Sequence, residues 1–218
     1  MKHNLINTKT SLTKLLTITF MLAIAMQFNG CKKDDPKPED VPELITTALL
    51  TFTPNDGGSP VIVTATDPDG EGVQDIKADG PINLLPAKTY VLKIDLINAL
   101  AKPTDPAYKV TEEVEAEGDE HMFFFAWTNN PFSSPAGDGN IDNRADAVNY
   151  TGAANSIDKN KRPLGLTTTW TTVTLSGTST VTGTFQVLLK HQPNLKSDTS
   201  DSKTGETDLD LTFTVNVK

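Results

Sequence analysis

The sequence predicts an all-β protein, an antiparallel β-sandwich of immunoglobulin-like or jelly-roll type with about eight strands. From residue 43 onward apolar and polar residues alternate with period two, which is typical of strands that bury one face. Threonine and valine, which pack well on a pleated surface, are frequent in these segments. No segment has the pattern of a long amphipathic helix, so the crossover helices of a parallel sheet are not expected.

Breakers rich in Gly, Pro, Asn, Asp and Ser separate the eight predicted strands. Asn55-Asp56-Gly57-Gly58 ends the first strand, Asp67-Pro68-Asp69-Gly70 ends the second, and Ser176-Gly177 separates the sixth from the seventh. The last strand is the clearest, because apolar residues from Leu209 onward alternate with polar ones from Asp208 onward. In chain order the predicted strands are residues 46–53, 59–66, 89–99, 108–115, 121–128, 167–175, 180–191 and 207–217.

Composition limits the class of protein before any motif is considered. The chain has 218 residues, of which 37% are hydrophobic and 22% are charged, values that suit a globular domain and not a wholly disordered chain. Its formal net charge is −9, so it would repel phosphate backbones and nucleic-acid binding is not expected. Residues 43–218 are long enough to bury one sizeable core, which predicts a single domain.

Residues 1–30 have the layout of a signal peptide. Lys2, Lys9 and Lys14 precede the apolar run 15–26, which is too short to span a bilayer. The only cysteine, Cys31, follows in Phe28-Asn29-Gly30-Cys31. This tetrad resembles the lipobox of Bacteroidota lipoproteins, although Phe28 and Asn29 depart from the stricter Leu-Ala/Ser-Gly-Cys pattern.

The resemblance implies that Cys31 is lipidated and becomes the first residue of the mature protein. It implies a lipid anchor in the cell outer membrane, and Lys32-Lys33-Asp34-Asp35 is similar to the signal that follows the cysteine in surface-exposed members. Residues 31–42, with three prolines among charged residues, then predict an extended tether. The alternative is a general signal peptide cleaved elsewhere, which would leave a free thiol.

Two histidines suggest a metal site. His121 begins one predicted strand and His191 ends another, so their imidazoles meet at one sheet edge if these strands pair antiparallel. Glu120 is the nearest carboxylate in sequence, and such a set suits zinc, copper or iron. The alternative is that both histidines cap strand ends at the surface.

Two acidic stretches are candidates for calcium. Residues 67–72 and the sequence Asp138-Gly139-Asn140-Ile141-Asp142 place oxygen-bearing side chains at alternate positions, as calcium loops do. Neither completes an EF-hand, and the alternative for both is an ordinary Asx turn. Asp138, Asn140 and Asp142 are the better candidates, because an ion there would order a long loop.

That loop, residues 129–165, is rich in Gly, Asn, Asp and Pro and is the predicted recognition surface. Aromatic residues in and beside it suggest a platform for a sugar ring. We expect Trp127 and Trp170 in the core and Phe132 and Tyr150 at the surface, where they would bind a ligand.

No nucleophile elbow, Walker loop or dinucleotide fingerprint occurs, so the chain is not expected to be an enzyme. The leading hypothesis is therefore a non-enzymatic binding module on the outer membrane, with a glycan, a peptide or another envelope protein as its ligand. The rival is a metal-binding lipoprotein or small metalloenzyme built on His121 and His191. A structural spacer is a third possibility.

Overall fold

A computed structural model describes residues 43–70, 75–141 and 155–218 of the chain. Cys31, Asp142 and Tyr150 lie outside these residues, as do the leader and the tether. The described residues form ten strands, one short α-helix and a 3₁₀ turn at Pro106–Tyr108. The strands are β1 (Thr47–Pro54), β2 (Val61–Thr66), β3 (Lys77–Ala78), β4 (Ile82–Leu84), β5 (Thr89–Ile97), β6 (His121–Trp127), β7 (Phe132–Ser134), β8 (Thr167–Thr172), β9 (Val181–His191) and β10 (Glu206–Val217), and the helix α1 is Val110–Ala116.

The strands form two sheets that share one core, which confirms the predicted all-β sandwich. One sheet has the order β3-β2-β1-β5-β8-β7 and the other has the order β4-β10-β9-β6. Every pairing is antiparallel except that of β4 with β10. Inward side chains of both sheets belong to a single cluster of buried residues. Within the described part of the chain, no helix is long and apolar enough to cross a membrane.

Seven of the eight predicted strands are present with ends shifted by a few residues, and the segment 108–115 is the exception. This segment forms the 3₁₀ turn and α1, because Val110 and Val114 are four residues apart and both are buried. Glu112 and Glu113 lie in the first turn, where carboxylates favour a helix N-terminus. Glu117, the C-cap residue of the helix, lies four residues before His121, where β6 begins.

The core between the sheets is aromatic, and Phe132 belongs to it. Trp127 and Trp170 are buried as predicted. The surface position predicted for Phe132 is wrong, because this residue is 5% exposed and its ring lies 4.8 Å from that of Trp170. Residues 132–134 form β7, which pairs with β8 and turns the phenyl ring inward. The segment predicted as one long loop therefore contains an edge strand.

Candidate functional site

The pairing of β6 with β9 places His121 and His191 directly opposite each other. Their ring centroids are 4.6 Å apart with an interplanar angle of 2°, so the imidazoles are stacked. Both point to the inner face of the sheet and both are buried. The predicted proximity is confirmed, whereas the alternative of two surface histidines is wrong.

Among the described carboxylates, Glu43 makes the shortest contact with this pair. Its Oε1 lies 2.7 Å from His121 Nε2, and its side chain is only 6% exposed. This contact sets the carboxylate against the ring nitrogen, and it is an ion pair whenever His121 is protonated. The other ring nitrogen, Nδ1, lies 3.2 Å from the carbonyl oxygen of Glu117, which fixes the orientation of the ring. Sequence reasoning missed Glu43, because it precedes β1 and is remote from both histidines along the chain.

Asp208 approaches His121 from β10, which lies on the other side of β9 from β6. A register shift between Thr207 and Leu209 interrupts the pairing of β10 with β9 at this residue. Gly205 permits the close start of β10, since its φ is +76° and a Cβ there would collide with the His191 carbonyl oxygen. The Asp208 side chain is fully buried, with Oδ2 3.7 Å from His121 Nε2.

Four potential ligand atoms of Glu43, Glu117, His121 and His191 lie within 4.8 Å of one another. Ligand atoms of a tetrahedral zinc site are about 3.4 Å apart, given bonds of about 2.0–2.1 Å to nitrogen and oxygen. A bound ion would therefore draw the groups together. One of the stacked rings would also have to turn, because imidazole lone pairs lie in the ring plane.

Glu120, the carboxylate predicted from the sequence, lies at the margin of this cluster. Its Oε2 is 3.9 Å from His191 Nε2, and its side chain is 36% exposed. Glu43 and Glu117 are therefore better placed as ligands than Glu120 is.

Protonation in the cluster follows from burial and proximity. Burial and the neighbouring Glu43 carboxylate raise the pKa of Asp208 to about 8. Burial opposes ionisation of Glu43 as well, but the contact with His121 outweighs it and lowers the pKa of Glu43. Burial disfavours the charged form of His121, yet Glu43 and Asp208 raise its pKa. At neutral pH without a bound cation, Glu43 is therefore ionised and Asp208 is mostly protonated.

In the presence of a chelator, we expect the free energy of unfolding to fall as pH rises from about 6 to 9. Asp208 and His121 both have raised pKa values, so the folded state keeps protons that the unfolded state has lost. Glu113 faces the same cluster, and burial together with Glu43 and Glu117 raises its pKa too. Glu43 has a lowered pKa, so its contribution to the free energy of unfolding is lost only when the pH falls into the acidic range. Urea unfolding at pH 6 and pH 9 measures the effect, and equal or greater stability at pH 9 would contradict it.

Among the residues that the structure describes, several buried polar atoms of the cluster have no hydrogen-bond partner. They are Glu43 Oε2 and both carboxylate oxygens of Asp208, and His121 Nε2 is likewise without an aligned partner. Buried polar groups are nearly always paired, so an unpaired carboxylate beside an imidazole needs a proton or a cation. The chemistry of the donor set, nitrogen and carboxylate oxygen, suits a divalent transition-metal ion.

The predicted calcium residues are engaged in turns where the structure describes them. Asp67 Oδ1 accepts hydrogen bonds from the backbone N–H groups of Asp69 and Gly70. Asp138 Oδ1 accepts one from the backbone N–H of Asn140 at 2.9 Å, and both residues are exposed. These are Asx turns. Calcium at Asp138, Asn140 and Asp142 stays a prediction.

The fold and the cluster together define an all-β sandwich with a buried group of histidines and carboxylates at one end of its core. Comparisons with family models, curated proteins and solved structures find no match for the chain.

Proposed function

We propose that this protein is a lipoprotein of the cell outer membrane whose sandwich domain binds one divalent transition-metal ion. The anchoring part rests on the signal-peptide layout and the lipobox-like sequence at Cys31. The metal-binding part rests on the juxtaposition of His121 and His191 with Glu43 and Glu117. The proposed binding is non-enzymatic, because both imidazoles are buried away from the surface where a substrate would arrive.

Zinc is the first candidate ion. Two imidazoles and two carboxylates form a mixed nitrogen and oxygen set, which zinc accepts in a closed four-coordinate site. Copper and iron accept the same ligands, so the experiment includes all three metals. A glycan platform has less support, because Phe132 lies in the core.

We expect the mature chain, residues 31–218 carrying Cys31→Ser, to bind one equivalent of Zn²⁺, Cu²⁺ or Fe²⁺. The serine removes a thiol that would otherwise bind metal, and purification without a histidine tag removes the other common artefact. Elemental analysis after dialysis gives the stoichiometry, and calorimetry gives the affinity. His191→Ala should weaken binding by at least about 100-fold, because it removes a ligand and not only a group that supports one.

Glu112→Gln is the matched control, because it removes an exposed carboxylate from the neighbouring helix and should leave the affinity unchanged. Circular dichroism establishes that each variant is folded. Failure of all three metals to bind at micromolar free concentration would overturn the proposal, and so would unchanged affinity in His191→Ala.

A further inference from the structure

The side chain of Asp208 is buried, although the alternation of β10 predicts that it is exposed. Strict alternation along β10 places Asp208 with Asp210 and Thr212 on the polar outer face, opposite to the face of Leu209 and Leu211. The register shift at Thr207/Leu209 instead turns the Asp208 side chain inward. Bulges of this kind commonly redirect a side chain at a functional site.

The surroundings of Asp208 disfavour the ionised form of its carboxyl group. Its side chain is fully buried, and neither carboxylate oxygen has a well-aligned hydrogen-bond partner within the described part of the chain. Among the described residues, the group beside it that can carry a positive charge is the His121 imidazole, whose Nε2 lies 3.7 Å from Asp208 Oδ2 and is already in contact with Glu43 Oε1 at 2.7 Å. An ionised Asp208 would therefore be an incompletely compensated buried charge. A divalent cation beside Glu43 and Asp208 would balance both carboxylates.

We propose that Asp208 is a direct ligand of the metal ion, and that the β10 bulge exists to present it. The inference rests on the proposed function and replaces Glu117 with Asp208 as the second oxygen ligand beside Glu43, because the Asp208 side chain is fully buried and Glu117 is only half-buried. Two carboxylates neutralise the ion, and the imidazoles supply nitrogen. The site therefore takes a divalent cation of intermediate softness in preference to a monovalent one.

The structural alternative is that Asp208 is a buried carboxylic acid that shares its proton with Glu43 and binds no ion. Asp208→Asn separates the two roles, because asparagine has the same shape and keeps a hydrogen-bond donor but loses the charged ligand. Asp210→Asn is the matched control on the same strand, since Asp210 is exposed and accepts a hydrogen bond from Gln186 outside the cluster.

We expect Asp208→Asn to weaken Zn²⁺ binding by at least about 100-fold in the Cys31→Ser mature chain, while Asp210→Asn changes it less than about threefold. The metal-free melting temperature of Asp208→Asn should equal or exceed that of the parent chain. Zn²⁺ should raise the melting temperature of the parent chain but not that of Asp208→Asn, because a ligand stabilises the folded state only when it binds. Asp208→Glu, which keeps the charge, should restore part of the binding.

Two results would overturn the inference and are distinguishable. If the parent chain binds Zn²⁺ and Asp208→Asn binds it equally well, Asp208 is not a ligand, although the proposed function stands. If the parent chain binds none of the three metals, both proposals fail. Should Asp208→Asn not fold, carbon-13 NMR of the parent chain decides, because the Asp208 carboxyl resonance must move when one equivalent of Zn²⁺ is added.

Discussion

Replacing Trp170 with alanine is expected to lower the free energy of unfolding by about 3–5 kcal/mol, which is typical of a fully buried tryptophan. The side chain is wholly inaccessible, and its ring lies 5.0 Å from Phe185 and 5.5 Å from Trp127. These neighbours come from the opposite sheet, so the cavity would open at the centre of the sandwich. The indole Nε1 also donates a hydrogen bond to Thr168 Oγ1 at 2.7 Å, and alanine removes this bond.

Urea unfolding monitored by far-ultraviolet circular dichroism measures the loss. Leu85→Ala is the control, because Leu85 is 58% exposed and its truncation should change the free energy by no more than about 0.5 kcal/mol. A loss below about 1.5 kcal/mol in Trp170→Ala would mean that the two sheets do not pack around this indole as described.

The fold was predictable where the strands are long and bury only one face. β10 and β9 run for 12 and 11 residues and bury alternate side chains along most of their length, which gives a clear period of two. β3, β4 and β7 have only two or three residues, too few to establish a period, and the sequence did not indicate them. The segment 108–115 was mistaken for a strand because two valines four residues apart also fit an alternating pattern.

The candidate site was predictable only in part, for a physical reason. His121 and His191 lie at complementary ends of adjacent strands, so antiparallel geometry alone brings them together. Asp208 depends on a bulge, which inverts the face that alternation assigns to it. Glu43 depends on the path of the chain into β1, which belongs to the other sheet. Local patterns contain neither kind of information.

Replacing Lys196 with methionine is expected to lower the free energy of unfolding by about 3–5 kcal/mol, the usual result of breaking a buried ion pair from one side. Lys196 Nζ lies 3.0 Å from Asp158 Oδ2, and both side chains are almost wholly buried. The same ammonium donates hydrogen bonds of 2.6 Å to the carbonyl oxygens of Gly118 and His121. Lys196 therefore fixes the turn that leads into β6. Burial lowers the pKa of Lys196 despite the pairing with Asp158, which shows how strongly this site disfavours charge.

Methionine keeps the apolar stem of Lys196 but leaves the Asp158 carboxylate buried without its cation. The double variant with Asp158→Asn should recover part of the loss, because the amide removes the unpaired charge and keeps an oxygen for the N–H groups of Asn160 and Arg162. Lys159→Met is the control, since the exposed Lys159 forms a surface ion pair with Asp119 and its loss should change the free energy of unfolding far less than Lys196→Met does. If the double variant is no more stable than Lys196→Met, the unpaired charge is not the origin of the loss, and the carbonyl contacts of Lys196 account for it instead.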